Sequence, residues 1–220
     1  MSADVVKAMV LAAGEGTRLR PLTLNTPKVL LPIGGVPLIE HTLLWLKNHG
    51  VDEAAVNLYH LGEKIKDFLG DGSGFGVKVV YSPEVTLLGT AGGVKKMEHF
   101  FGDTFVVVYG DVLTDFDLSD MLSFHQGNNC LATIAILEVA SAGSVGVVEM
   151  NQEGRLLSFV EKPSHRSGMG NLGSGGVYVF EKEVLKHMPE AGYSDFGYDC
   201  CQSAKWDTFK TEHFGIIRRH

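Results

Sequence analysis

A short apolar run that leads directly into a glycine-rich loop constrains the fold of this chain most strongly. Residues 5–12 are mostly apolar, and Gly14 and Gly16 follow at once. An apolar run of this length is typical of a strand that is buried on both faces of a sheet. Glycines placed after such a strand let backbone N–H groups approach phosphate oxygens closely. The sequence therefore predicts a buried first strand whose carboxyl end carries an anion-binding loop.

Strand-like and helix-like segments alternate through the first half of the chain. This alternation predicts a mostly parallel sheet with helices on both faces, which is an α/β fold. The second half is rich in strand-like segments, which we interpret as additions to the same sheet plus a substrate-binding cap. The predicted strands are 5–12, 53–59, 77–81, 104–109, 131–139, 146–150, 156–161 and 176–180, and the predicted helices are 37–49, 62–69 and 92–101. We expect one domain over residues 1–220.

Composition and charge narrow the function classes. The net charge of -7 argues against a broad electrostatic surface for nucleic acid, although a local basic pocket for phosphates is compatible with it. The longest apolar runs fall short of the roughly 20 residues that span a membrane, and the first residues lack a signal-peptide pattern. Three cysteines do not make a disulfide or zinc framework, so we expect a cytoplasmic protein.

The glycine loop departs from two familiar phosphate-binding patterns. A dinucleotide fingerprint needs a third glycine where this chain has Leu19, and a Walker loop needs Gly-Lys-Ser/Thr where it has Thr17, Arg18 and Leu19. An arginine beside the glycines can stabilise charge on a transferring phosphoryl group. From the two glycines alone, a turn with a solvated arginine fits equally well.

Longer motifs carry a resemblance to a known family. Residues 11–23 read Leu-Ala-Ala-Gly-Glu-Gly-Thr-Arg-Leu-Arg-Pro-Leu-Thr, which closely resembles the signature of the sugar-phosphate nucleotidylyltransferases. The resemblance continues in the family's order through 27–33, 88–93, 109–111, 145–149, 161–163 and 195–197. It implies a Rossmann-like three-layer sandwich with a mostly parallel mixed central sheet, the nucleotide-diphospho-sugar transferase fold.

The resemblance also implies a reaction. A nucleoside monophosphate would pass from a nucleoside triphosphate to a sugar 1-phosphate, giving a nucleotide sugar and pyrophosphate. The implied partners are these two substrates, with no nucleic acid and no membrane, and a homo-oligomer is left open. Because the attacking phosphate is already ionised, catalysis reduces to aligning two anions and neutralising their repulsion. That task calls for basic residues and a divalent cation.

Four residues match the family's catalytic positions. Arg18 and Lys28 should hold the triphosphate, with Arg18 at the departing pyrophosphate, and Lys162 should hold the sugar phosphate. Asp111 follows an apolar strand and a glycine, which places a carboxylate where open α/β sheets bind ligands. It should hold Mg²⁺ on the α-phosphate. Taken alone, Asp111 also fits a turn or helix cap, and Lys28 also fits a solvated surface lysine.

The resemblance further assigns binding residues. Those expected at the nucleotide are Leu11, Ala12, Ala13, Gly14, Gly16, Thr17, Gly89, Thr90 and Gly92. Those expected at the sugar are Gly146, Glu161, Lys162 and Ser174, although many relatives carry Asn in place of this serine. The form Leu-Gly-Thr-Ala-Gly at 88–92 looks most like guanylyltransferases for mannose 1-phosphate and related heptose phosphates. We therefore expect GTP. The alternatives are UTP, dTTP or CTP, or a non-catalytic homologue that binds nucleotides.

The segment from Cys200 to His220 departs from the family pattern. Relatives usually continue with Val-Leu-Pro after Asp199, and later carry Asp-Ile-Gly-Thr-Pro, whose aspartate is the second metal ligand. One base deleted from codons for Val-Leu-Pro-Lys gives Cys-Cys-Gln and then Ser or Arg, which matches residues 200–203. We hypothesise that residues 200–220 are a frameshifted or truncated tail; a divergent terminal helix is the alternative. Sequencing the coding DNA tests this, because an intact frame after restoring one base must continue as family-like sequence.

Overall fold

The computed structural model describes residues 5–138, 146–151, 156–160 and 171–197. Its strands are β1 Lys7–Leu11, β2 Pro32–Ile33, β3 Val36–Pro37, β4 Glu53–Leu58, β5 Lys78–Pro83, β6 Thr104–Tyr109, β7 Ala132–Glu138, β8 Val147–Met150, β9 Leu156–Val160 and β10 Leu172–Glu181. Its α-helices are α1 Leu38–Asn48, α2 Gly62–Leu69, α3 Gly89–Lys96 and α4 Leu118–Gly127. Short 3-10 turns cover Thr17–Leu19, Leu22–Leu24, Lys28–Leu30, Ser73–Phe75 and Lys182–His187.

Eight of the described strands form one mixed sheet. Its order is β5-β4-β1-β6-β10-β8-β9, and β7 pairs with the other edge of β10. The pairs among β5, β4, β1 and β6 are parallel, whereas β10 runs antiparallel to β6, β7 and β8. Strands β2 and β3 form a separate small hairpin. The expected α/β fold around a mixed sheet with a parallel core is confirmed.

Each face of the sheet buries its own core. In β1, Met9 packs into the layer of α3 and the Lys182–His187 turn, while Ala8 and Val10 pack into the layer of α1, α2 and α4. The side chains of a strand alternate between faces, so a fully apolar strand supplies both layers. The result is the predicted three-layer sandwich. In the described part of the chain, helices are too short or too polar to cross a membrane.

The first strand lies at the point where the chain changes direction across the sheet. From β1 the chain passes to β4 and β5 on one side and then to β6 on the other. Gly110, just beyond β6, donates its N–H to the Leu11 carbonyl at 2.9 Å. A Cβ on Gly110 would lie 3.1 Å from the Val10 side chain, so a glycine lets the two strand ends approach. Open α/β sheets bind ligands at such a position.

Two helices differ from the sequence prediction. Helix α3 begins at Gly89, three residues before the predicted start, because partners distant in the chain bind its first turn. The Ala91 and Gly92 N–H groups donate to the Ser194 carbonyl at 2.9 and 3.1 Å. Helix α4 was not predicted. Asp117 caps it by accepting from the Ser119 and Asp120 N–H groups at 2.9 and 3.0 Å.

Candidate active site

A cavity of about 210 Å³ opens at the carboxyl ends of β1 and β6. Its walls come from the glycine loop, the start of α3, the ends of β4 and β6, and the 193–195 segment. The lining residues are Leu11, Ala12, Ala13, Gly14, Lys28, Val29, Asn57, Leu87, Gly89, Thr90, Tyr109, Asp111, Tyr193 and Asp195. Small-molecule sites usually measure roughly 300–1,000 Å³. The described walls therefore accommodate part of a nucleotide-sized ligand.

A cation and an anion face each other at this cavity. Lys28 opens the Lys28–Leu30 turn, and its Nζ donates to Asp111 Oδ2 in an ion pair. The two side chains are 28% and 27% exposed, so both remain accessible to a ligand. The pair places opposite charges at the end of β6, where a polyanion and its counter-cation could both be bound.

The glycine loop is held by one threonine. Gly16 adopts a left-handed conformation with φ of 63°, and Thr23 Oγ1 donates to its carbonyl at 2.8 Å. A Cβ at Gly16 would lie 2.9 Å from Thr23 Cγ2 and 3.1 Å from Lys28 Cβ. The loop therefore packs directly against the residue that supplies the cation. Arg18 follows Gly16 in this loop, is exposed, and is not one of the residues that line the cavity.

The inner wall contains a buried polar bridge. Asn57 Oδ1 accepts from the Ala12 N–H at 2.7 Å, and Asn57 Nδ2 donates to Glu84 Oε1 at 2.8 Å. Glu84 Oε2 accepts from the Leu88 N–H at 2.9 Å. This bridge joins the glycine loop to the segment before α3.

The start of α3 is closed by a segment that lies about a hundred residues later in the chain. Asp195 Oδ1 accepts from the Thr90 N–H at 2.8 Å and from Thr90 Oγ1 at 3.1 Å. Tyr193 Oη donates to Asp195 Oδ2 at 2.5 Å. A Cβ on Gly89, whose φ is +76°, would lie 2.4 Å from the Ser194 carbonyl oxygen. The glycine is thus required where the two segments meet.

A chain of hydroxyl groups lies behind the cavity wall. Ser174 Oγ lies 2.8 Å from Tyr178 Oη and accepts from the Gly176 N–H at 3.2 Å. Tyr178 Oη donates to Tyr109 Oη at 3.4 Å, and Tyr109 lines the cavity. Gly146 is buried, and its carbonyl accepts from the Ser174 N–H at 2.8 Å. Ser174 therefore connects to the cavity through two tyrosines.

Comparison with known proteins assigns the family. Residues 7–213 match the family model described as nucleotidyl transferase. The chain belongs to the nucleotidyl transferase family. It is 40% identical to the UTP–glucose-1-phosphate uridylyltransferase of Synechocystis sp., over 88% of this chain and 54% of that protein. It is 34% identical to the mannose-1-phosphate guanylyltransferase of Mycobacterium tuberculosis, over 86% of this chain and 53% of that protein. The chain thus spans about half the length of the curated relatives it matches.

A solved structure supports the same assignment for the fold. The structure of UDP-glucose pyrophosphorylase complexed with UDP-glucose is 26% identical and superposes with a TM-score of 0.71. The match covers 83% of this chain and 78% of the other. The expected sugar-phosphate nucleotidylyltransferase family and its fold are therefore confirmed.

In this nucleotidyl transferase, many of the predicted site residues lie together. The cavity lining includes Leu11, Ala12, Ala13, Gly14, Lys28, Gly89, Thr90 and Asp111, and it does not include Gly16, Thr17, Arg18, Gly92, Gly146 or Ser174. Glu161 and Lys162 lie outside the described residues, as does the predicted tail at 200–220. The roles of all these residues stay predictions.

Several lining residues were missed from the sequence. Asn57 carried a signal, because it is a lone polar residue inside the otherwise apolar end of β4. Asp195 belongs to one of the family motifs, but its position over Thr90 depends on a contact across 105 residues. Leu87 and Tyr193 carried no local signal that we can identify.

The predicted magnesium ligand faces the cavity. Among the described residues, His, Cys, Asp and Glu side chains form no cluster of three that could hold a metal ion. Mg²⁺ is commonly bound by one or two carboxylates together with substrate phosphates and water. Asp111, placed beside Lys28 at the cavity, fits one protein ligand of such a shared site.

Proposed function

We propose that this nucleotidyl transferase carries a nucleoside monophosphate from a nucleoside triphosphate to a sugar 1-phosphate and releases pyrophosphate. The observation that carries the proposal is the Lys28–Asp111 pair at the mouth of a glycine-lined cavity, at the switch point of the sheet. Both named relatives are nucleotidylyltransferases of sugar 1-phosphates.

The arrangement suits an alignment mechanism. Ala13 and Gly14 line the cavity together with Lys28. Their backbone N–H groups would orient phosphate oxygens while the lysine neutralises the phosphate charge. Asp111 would hold Mg²⁺, which supplies further neutralisation at the α-phosphate when bound. Arg18, on the adjacent exposed loop, would contact the departing pyrophosphate. Lys162 would hold the attacking sugar phosphate.

The sugar side of the site belongs to the same proposal. Glu161 would bind sugar hydroxyls, and the absence of a side chain at Gly146 would let the sugar ring approach the backbone. The described cavity is small for a complete pair of substrates. This supports a division in which the described walls bind the nucleotide and the later strands complete the sugar site.

Two substrate pairs are favoured by different observations. The Leu-Gly-Thr-Ala-Gly segment and the mycobacterial relative favour GTP with mannose 1-phosphate, or a heptose 1-phosphate. The 40% identical Synechocystis relative favours UTP with glucose 1-phosphate. The chemistry at the phosphates is the same for both pairs. A cytoplasmic location and the lack of nucleic-acid binding stay predictions of the sequence.

One assay tests the function and names the pair. The protein is incubated with Mg²⁺, each nucleoside triphosphate and a panel of sugar 1-phosphates, and pyrophosphate is measured. We expect release with one pair and its loss in Asp111→Ala. The matched control is Asp67→Ala, which removes an exposed carboxylate from α2 and should leave release unchanged. Nucleotide binding without release for any pair would reject catalysis and favour a binding homologue.

A further inference from the structure

The buried bridge lies in the inner wall of the cavity, which Asn57 lines and Glu84 does not, and it takes no part in the chemistry proposed above. Asn57 and Glu84 are 2% and 7% exposed; Asn57 lies near the end of β4, and Glu84 directly follows β5, the adjacent parallel strand. On one side the bridge holds the Ala12 N–H of the glycine loop, and on the other it holds the Leu88 N–H before α3. It therefore connects two backbone segments that both line the cavity.

The donors and acceptors around Asn57 determine the orientation of its side-chain amide. The Ala12 N–H can only donate, so it must meet the Asn57 oxygen, and the Glu84 carboxylate accepts, so it must meet the Asn57 amide nitrogen. Both Glu84 oxygens accept from protein donors, at 2.8 and 2.9 Å. Glu84 lies outside the cavity lining. The carboxylate is thus oriented toward the protein and not toward a ligand.

A third element packs on the same bridge. A Cβ at Gly93 in α3 would lie 3.0 Å from Asn57 Nδ2 and 3.1 Å from Glu84 Oε1. Helix α3 therefore rests directly on the bridge, and its amino end forms the cavity wall at Gly89 and Thr90. A change in the length of the bridge would move both walls relative to each other.

We propose that Asn57 and Glu84 are positioning residues that set the spacing of the nucleotide site by holding the glycine loop and the start of α3 at a fixed separation. This inference rests on the proposed function. Loss of the bridge should weaken binding of the nucleotide and leave binding of the sugar phosphate unchanged, because the bridge contacts only the walls assigned to the nucleotide.

Single substitutions should each break one link of the bridge. In Glu84→Gln, one acceptor replaces two, so the side chain can satisfy the Asn57 amide or the Leu88 N–H but not both. In Asn57→Asp, the Ala12 contact survives but a second carboxylate faces Glu84. Unsatisfied or repelling buried groups are costly, so we expect the KM for the nucleoside triphosphate to rise about 10- to 100-fold. The KM for the sugar 1-phosphate should stay within about threefold.

The double variant Asn57→Asp with Glu84→Gln should restore the bridge with its polarity reversed. The introduced aspartate then accepts from the Ala12 N–H and from the amide of the introduced glutamine, while the glutamine oxygen accepts from the Leu88 N–H. Net charge and side-chain lengths are unchanged. We expect the nucleotide KM to return to within about threefold of the wild type. Glu181→Gln is the matched control, since it alters a carboxylate hydrogen-bonded to Thr104 at the opposite end of the strands.

The outcomes separate the two proposals. The positioning role is overturned if the nucleotide KM stays unchanged in folded single variants. It is also overturned if the nucleotide KM of the double variant is as high as that of the worse single variant. If a single variant fails to fold, the double variant decides: a raised nucleotide KM at wild-type Tm overturns the role, and a wild-type KM supports it. If the wild type releases no pyrophosphate, calorimetric Kd values for GTP and UTP replace KM, so the bridge is tested even where catalysis is rejected.

Discussion

At the scale of single residues, Lys28 gives the sharpest test of the phosphate site. Lys28→Ala should lower kcat/KM about 10²- to 10³-fold, because it removes a positive charge placed where the triphosphate is proposed to bind. The Tm should change little, since the ion pair with Asp111 is partly exposed and such pairs contribute about 1 kcal/mol or less. Pyrophosphate release and thermal unfolding measure the two effects. Lys66→Ala, which breaks the exposed pair with Glu63, is the control.

Substitution of Ser174 tests whether its hydroxyl contacts the sugar 1-phosphate. Its hydroxyl already has Tyr178 and the Gly176 N–H as partners, so Ser174→Ala should destabilise the fold by about 1 kcal/mol. The KM for the sugar 1-phosphate should change less than about twofold if the tyrosines alone separate this serine from the ligand. A rise of tenfold or more in that KM would instead place the Ser174 hydroxyl at the sugar.

Residues whose position follows from a local motif could be predicted from the sequence, and residues placed by distant contacts could not. Lys28 and Asp111 both line the cavity, and each sits in a local motif: Lys28 begins its turn, and Asp111 follows the end of β6. Asn57 meets Ala12 across 45 residues, and Asp195 meets Thr90 across 105. No pattern within a short window encodes such contacts, although a polar residue in an apolar strand does indicate a buried partner.

At the scale of elements, the glycine loop depends on its packing as well as on its backbone conformation. Gly16→Ala should destabilise the protein by about 2–4 kcal/mol, because it adds a clash with Thr23 to the cost of a left-handed alanine. Gly34→Ala is the matched control: its φ is +62° and nothing lies within 4 Å of the added Cβ, so only about 1 kcal/mol should be lost. Denaturant unfolding measures both.

A second substitution separates the clash from the strain. Thr23→Ser removes the Cγ2 that lies 2.9 Å from the added Cβ but keeps the hydroxyl that donates to the Gly16 carbonyl. Added to Gly16→Ala, it should recover part of the lost stability. A double variant that is no more stable than Gly16→Ala would show that the loss comes from the left-handed conformation or the Lys28 Cβ contact, and not from Thr23 Cγ2.

Helix and strand boundaries were predictable where local patterns decide them. The bounds of α2 and β6 agree with the sequence prediction, because glycines and charged residues flank segments whose apolar residues recur at regular spacing. Helix α3 begins earlier than predicted because Ser194 and Asp195 accept hydrogen bonds from its first N–H groups. Strand β10 is longer than predicted, because it begins at Leu172, before Gly176. Gly176 has a φ of +75°, and the pairing register with β7 shifts between Ser174 and Tyr178.

At the scale of the whole molecule, a buried histidine couples the fold to pH. His125 on α4 is 1% exposed, and its ring contacts Thr133 at 2.8 Å and Glu181 at 3.1 Å. Burial lowers the pKa of His125 below its usual value of 6.5, and the hydrogen bond and charge of Glu181 offset part of that effect. This histidine joins α4 to β7 and β10, at the end of the sheet opposite the cavity.

The sign of the pH dependence follows from this shift. Below about pH 6.5 the unfolded chain binds a proton at His125 that the folded protein resists, so the free energy of unfolding falls as the pH drops through this range. His125→Gln should therefore lose less stability than the wild type between about pH 7.5 and pH 5, measured by denaturant unfolding at both values. His99→Gln, an exposed control, should behave as the wild type does. An equal loss in His125→Gln and wild type would mean that other groups set the acid sensitivity.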